Sequence, residues 1–117
     1  MSQKWKTERP AADEHAPYYA QYVAEAQGKD VVAMLESQTS DVAALLKGIP
    51  EARGGHRYAE GKWSIKEVIG HINDTERVFS YRLMRFARGD ATALPSFDEN
   101  LTAKGSEADS RTLADLG

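Results

Sequence analysis

The chain has no cysteine among its 117 residues. This excludes disulfide bonds and any zinc site built on thiolates, and it is typical of a protein that works in a reducing cytoplasm. No stretch approaches the run of about 18 apolar residues that a transmembrane helix needs. The opening residues, MSQKWKTERP, lack the apolar core of a signal peptide. We therefore predict a cytoplasmic protein without a membrane anchor.

An excess of positive charge is also missing. The formal net charge is −3, with 41% hydrophobic and 28% charged residues. This composition indicates at most one globular domain. An acidic chain lacks the basic surface with which proteins bind nucleic acid, so we expect no nucleic-acid partner.

What the chain does have is one long helical pattern, over residues 61–89. Ser64 and Glu67 have the spacing of a capping box, in which the two residues satisfy each other's backbone N–H groups. Gly89 follows the last apolar turn, where helices commonly end. We predict a helix over about residues 64–88. Its apolar positions recur every three or four residues: Ile65, Val68, Ile69, Ile72, Phe79, Leu83 and Phe86.

A second amphipathic pattern precedes the first. Asp30 is placed to cap it, and Gly48 and Pro50 end it, which predicts a helix over about residues 31–47. The connector between the two predicted helices favours an antiparallel hairpin. Residues 15–27 have the composition of a further short helix.

The two ends of the chain are less regular. Residues 1–14 have no periodicity and predict a disordered leader. Residues 89–109 show neither a helical nor a strand period, which predicts a crossover. Ser110 then has the position of an N-cap, so a third helix is expected to start over residues 110–116. Residues 15–117 would form a single helical domain.

Both long helices would have an apolar face, and six residues of a third helix are too few to cover them. We therefore expect either a homodimer, in which two hairpins complete a four-helix arrangement, or a domain that is incomplete at its C-terminal end.

His71 is the residue with the clearest potential for chemistry. Its helical position lies at the edge of the apolar face, where an imidazole can bind a metal. The alternative is a partly buried histidine hydrogen-bonded to Asp74, three residues later. Spacing alone favours this alternative, because His71 has no HxxxH or HxxE partner.

Glu76 falls inside the apolar stripe, where a carboxylate is costly unless it is paired. It would meet a basic or hydroxyl partner from another helix, or reach a polar cavity near His71. Structural pairing is the favoured alternative. With Asp74, Glu76 is a candidate for the second shell of a metal site.

The segment GKWSIKEVIGHINDTERVFSYRLMRFARGD, with LPSFDEN and RTLADL downstream, resembles the DinB-like superfamily, in particular its YfiT-like branch. The resemblance implies an all-α fold, of which this chain would be the N-terminal part: an antiparallel helix hairpin and the start of a third helix of a four-helix bundle. Members typically hold a divalent metal, nickel or zinc, on three histidines. His71 matches the first of these, whereas the other two lie on a fourth helix that has no counterpart in this sequence.

Two functions follow from the resemblance and the residues together. The first is a self-associating helical module with at most a vestigial metal site. The alternative is a nickel- or zinc-dependent transferase or hydrolase linked to a thiol such as bacillithiol or mycothiol. A small-molecule or thiol substrate is expected only where the metal site is complete, and the enzymatic activity of the chain is left open.

Overall fold

The computed structural model describes residues 3–117 and is all-helical, with no strand in that range. This confirms the all-α prediction. The α-helices are α1 (Ala20–Glu25), α2 (Val31–Lys47), α3 (Ile65–Ala87), α4 (Glu99–Gly105) and α5 (Leu113–Leu116). Short 3₁₀ turns occupy Lys4–Lys6, Pro17–Tyr19, Glu51–Arg53 and Ala108–Ser110. Within the described part, no helix is both long and apolar enough to cross a membrane.

The chain divides into two compact units, Met1–Leu45 and Leu46–Gly117. Each is described by itself below. The single domain over residues 15–117 and the antiparallel packing of the two long helices stay predictions.

The first unit contains the segment predicted to be a disordered leader. In its described part, Arg9 donates to the backbone carbonyl of Ala26 at 2.7 Å and also to that of Lys29. These bonds join the leader to the turn after α1. Disorder over residues 1–14 stays a prediction, and Met1 and Ser2 lie outside the described residues.

The start of α2 is fixed by the cap that the sequence predicted. One carboxylate oxygen of Asp30 accepts hydrogen bonds from the N–H groups of Val32, at 2.9 Å, and Ala33, at 3.1 Å. The helix spans the predicted residues 31–47. No residue of α2 is buried, and Leu35 and Leu45 are among its exposed apolar side chains.

The second unit is built around α3, which begins with the predicted capping box. The Ser64 hydroxyl accepts from the N–H of Glu67, and the Glu67 carboxylate accepts from the N–H of Ser64, both at 3.0 Å. At the other end, Gly89 has a φ of 70°, a conformation that glycine adopts without strain.

The segment predicted as a crossover, residues 89–109, contains α4 and most of the 3₁₀ turn Ala108–Ser110, although its sequence shows no helical period. Asp98 caps α4 by accepting from the N–H groups of Asn100 and Leu101, at 2.9 and 3.0 Å. The helix has seven residues, which is too short to repeat an apolar period.

The start of the last helix was also misplaced. Ser110 belongs to the 3₁₀ turn, and its hydroxyl donates to the carbonyl of Glu107. Thr112 is the N-cap of α5, and accepts from the N–H of Asp115 at 3.1 Å. The final helix therefore begins at Leu113.

The core of the second unit lies where α3 meets the C-terminal segment. Its buried members are Ile69, Ala108, Leu113 and Leu116, with Leu46, Ile49 and Ile65 packed around them. Gly70 permits this approach, because a Cβ atom at that position would lie 3.2 Å from the Cβ of Ala108. Ile69 and Gly70 are thus the buried residues of α3, and His71 follows them directly.

Candidate functional site

His71 is half-buried on α3, and its ring lies against the indole of Trp63. The ring centroids are 4.8 Å apart and the planes are inclined by 50°. The Nε2 atom is 3.5 Å from the hydroxyl oxygen of Thr75, which is long for a hydrogen bond. Nδ1 is buried and has no hydrogen-bond partner among residues 3–117. Nδ1 of His71 is therefore a buried polar atom that makes no hydrogen bond to the described residues.

The predicted hydrogen bond between His71 and Asp74 is not formed. Asp74 instead accepts from the guanidinium of Arg77 at 3.1 Å, one turn further along α3. The hydroxyl of Thr75, four residues from His71, lies near its Nε2 instead. The sequence did not indicate that Arg77 would be the partner of Asp74.

The burial predicted for Glu76 is wrong. Glu76 is exposed, and no ion pair or hydrogen bond joins its side chain to any described residue. The apolar stripe in which it lies is itself exposed, with Ile72 54% and Phe79 56% accessible. Because the neighbouring side chains are in water, the carboxylate keeps its hydration and needs no buried partner.

The donors do not combine into a metal centre. Residues 3–117 contain no group of three or more histidine, cysteine, aspartate or glutamate side chains that could hold an ion. His56 lies in an exposed turn, and His15 contacts the carbonyl of Ala16 through Nδ1. Protein zinc sites use three or four protein ligands. The described residues therefore offer one unsatisfied imidazole, which alone does not fit a nickel or zinc ion.

A polar network at the start of α3 was not predicted. Ser64 is fully buried, and its hydroxyl donates to the carboxylate of Asp109. Arg57 bridges the two acids, with 2.7 Å from Nη1 to Glu67 and 2.7 Å from Nη2 to Asp109. Its hydrogen bonds to Glu67 lower the pKa of that carboxyl and raise that of the guanidinium. The network joins α3 to a turn 45 residues later.

A surface groove of about 360 Å³ lies beside this network. Its wall includes Trp63, and three cationic side chains contribute to it: Arg57, Lys62 and Lys104. Since Arg57 is already engaged by Glu67 and Asp109, its charge is largely neutralised there.

The far half of α3 is apolar and accessible to water. Leu83 is 69% exposed and Phe86 is 70% exposed, in continuation of Ile72 and Phe79. Beside this stripe, a groove of about 620 Å³ is lined by Glu76 and by residues of the C-terminal segment, among them Arg111 and Asp115. The sequence predicted the apolar face correctly, and the structure shows that its second half is exposed.

Comparison with known proteins adds one finding to this geometry. The family model described as the DinB superfamily matches residues 34–115. No curated protein and no solved structure matches the chain. The match spans α3 and every residue of the second unit up to Asp115.

Proposed function

Because the chain belongs to the DinB superfamily, we propose that it is a helical module of that superfamily that associates with a second copy of itself. The observation that carries this proposal is the exposed apolar face of α3. Its members are Ile72, Phe79, Leu83 and Phe86. We call them the α3 stripe.

The size of the α3 stripe supports association. A fully buried phenylalanine removes about 200 Å² from water, so Phe79 and Phe86, at 56% and 70% exposure, offer about 250 Å². Ile72 and Leu83, at 54% and 69% exposure, add about 150 Å², so each copy offers about 400 Å² of apolar surface. Two such surfaces and their polar margins reach the ~1,000 Å² of total burial expected of a specific interface.

Light scattering after size-exclusion chromatography tests the proposal. The chain has a mass of 12.9 kDa, and we expect twice that mass at micromolar concentration. Leu83→Glu places a charge in the stripe and should weaken the dimer at least about tenfold. Leu101→Glu is the matched control, because Leu101 on α4 is equally exposed, at 70% against 69%. A wild-type monomer at high concentration would refute self-association, and equal effects of the two substitutions would show that the α3 stripe is not the interface.

A second candidate function is metal-dependent chemistry, in which His71 contributes one ligand to a nickel or zinc ion. The observation that favours it is the buried Nδ1 atom of His71, which has no hydrogen-bond partner among the described residues. Such a site needs donors in addition to those that residues 3–117 bring together. A thiol-linked transferase or hydrolase activity, with a thiol or other small-molecule substrate, depends on those donors.

Metal titration by calorimetry tests this candidate. Binding of nickel or zinc that is lost in His71→Asn and kept in His56→Asn would support it, since His56 is an exposed histidine of the same unit. Equal binding by both variants would show that His71 is not a ligand. Binding by neither variant nor wild type would remove the metal-dependent candidate and leave the helical module.

Localisation in the cytoplasm is also part of the proposal. The lack of cysteine supports it, and a fluorescent fusion observed in cells with a membrane stain tests it.

A further inference from the structure

The groove of about 360 Å³ beside the start of α3 has a charge opposite to that of the chain around it. Its ionised lining residues are three cations and one acid: Arg57, Lys62, Lys104 and Glu67. The chain as a whole has a net charge of −3. The groove is thus a local cationic surface on an acidic protein, which favours an anionic ligand.

The two lysines carry the uncompensated charge of the groove. Arg57 is held by two carboxylates, each at 2.7 Å. No carboxylate of the described residues lies within ion-pair distance of Lys62 or Lys104. The Nζ atom of Lys62 lies 5.9 Å from the ring centroid of Tyr58, which is a neutral neighbour. Two positive charges in the groove are therefore free to meet a ligand.

The wall of the groove that contains Lys62 and Trp63 is fixed by backbone contacts. Arg57 donates from Nη1 to the backbone carbonyl of Lys62 at 2.6 Å. Gly61, the preceding residue, has a φ of 71°, which glycine adopts without strain. Because two carboxylates hold Arg57 in turn, this wall is ordered before a ligand binds. Binding there loses little conformational entropy.

The opposite wall is formed by α4. Asn100 and Lys104 are four residues apart on this helix and therefore lie on the same face. Ala103 between them is 3% exposed, and α4 packs against α3. Asn100 offers a side-chain amide that can donate or accept a hydrogen bond. Both walls of the groove are thus anchored to the same long helix.

Trp63 gives the groove an aromatic surface. A planar ring beside an indole is stabilised by offset or edge-to-face stacking. The volume of the groove is at the lower end of the range found for small-molecule sites. These properties fit a ligand of about one ring with one charged group.

We propose that this groove binds a small aromatic phosphate monoester, with the ring against Trp63 and the phosphate between Lys62 and Lys104. A phosphate monoester carries about two negative charges at neutral pH, which matches the two unpaired lysines. Lysine binds phosphate as a point charge. Neither a member of the α3 stripe nor His71 lines the groove. The inference is therefore independent of self-association and of metal binding.

A nuclear magnetic resonance titration with phenyl phosphate tests the inference, because amide shifts report the affinity and the place of binding together. We expect saturable shifts at residues 61–63 and 100–104, with a dissociation constant below about 1 mM at neutral pH. Inorganic phosphate lacks the ring and should bind at least about threefold more weakly. Benzoate has the ring but a single charge, and it should also bind at least about threefold more weakly.

Two substitutions test the lysines. Lys62→Gln and Lys104→Gln should each raise the dissociation constant of phenyl phosphate at least about threefold, since each removes an exposed charge next to the phosphate. Lys47→Gln is the matched control. Lys47 is an exposed lysine of the same unit and does not line the groove, so its loss should leave the constant unchanged.

Four results would overturn the inference. Shifts that do not saturate up to about 10 mM phenyl phosphate would show that the groove is not a binding site. An equal loss of affinity in Lys47→Gln would show that the ligand responds to net charge and not to the groove. Equal binding of inorganic phosphate would contradict the contact with Trp63. Equal binding of benzoate would contradict the assignment to a phosphate.

Discussion

Replacing Ser64 with alanine tests how the start of α3 is held. The hydroxyl is fully buried, accepts from the N–H of Glu67 and donates to Asp109. Loss of an N-cap costs about 1 kcal/mol. The Asp109 carboxylate oxygen that loses the hydrogen bond from the hydroxyl adds about 1 kcal/mol, since Asp109 is partly exposed and regains water. We expect the free energy of unfolding to fall by about 2 kcal/mol.

Urea denaturation followed by far-ultraviolet circular dichroism measures this change. The matched control is Asp98→Ala, which removes the cap of α4 at an exposed site without a second buried bond. That substitution should cost about 0.5–1 kcal/mol. If Ser64→Ala costs no more than Asp98→Ala, the bond to Asp109 contributes nothing to stability and the reasoning is refuted.

Two further predictions concern the hydrophobic core and the loss of stability at acidic pH. Leu116→Ala should lower the free energy of unfolding by about 2–4 kcal/mol, because Leu116 is 2% exposed. The control, Leu101→Ala at a 70% exposed position, should change it by less than about 0.5 kcal/mol. Urea denaturation measures both changes. Arg57 lowers the pKa of Glu67 below its usual 4.5, so this pair stabilises the fold above that pH and loses its effect as the pH falls through the lowered pKa. Urea midpoints measured from pH 6 to pH 3 should therefore fall less steeply in Glu67→Gln than in wild type, and parallel curves would contradict the assignment.

The two long helices were predictable because each signals itself locally. Asp30 caps α2, and Ser64 with Glu67 opens α3. Both helices are long enough for their apolar period to repeat several times, so a single sequence defines their limits. The seven residues of α4 carry only one of these signals, its cap at Asp98.

The start of α5 was decided by a distant contact. Ser110 and Thr112 are both acceptable N-caps by residue type. Glu51 selects between them, because its carboxylate accepts from the N–H of Leu113 at 2.8 Å from 62 residues away. Neither the residues around Ser110 and Thr112 nor their helix-capping propensities indicate this contact with Glu51.

The same holds for the candidate site, where features set by the neighbouring sequence were predictable and features set by tertiary packing were not. The position of His71 at the edge of the helix face followed from periodicity. The contact with Trp63 was not predicted, although Trp63 immediately precedes the N-cap. Glu76 was misjudged because its angular position on α3 was equated with burial, and burial depends on what packs against that part of the helix.

The contact between Trp63 and His71 also gives the molecule an internal optical probe. Indole emission responds to a charged or metal-bound imidazole at van der Waals range, and these two rings are 4.8 Å apart between centroids. With Trp5 replaced by phenylalanine, Trp63 is the remaining tryptophan. The fluorescence of Trp63 then responds to a charge or a bound metal at the His71 imidazole, without any attached label.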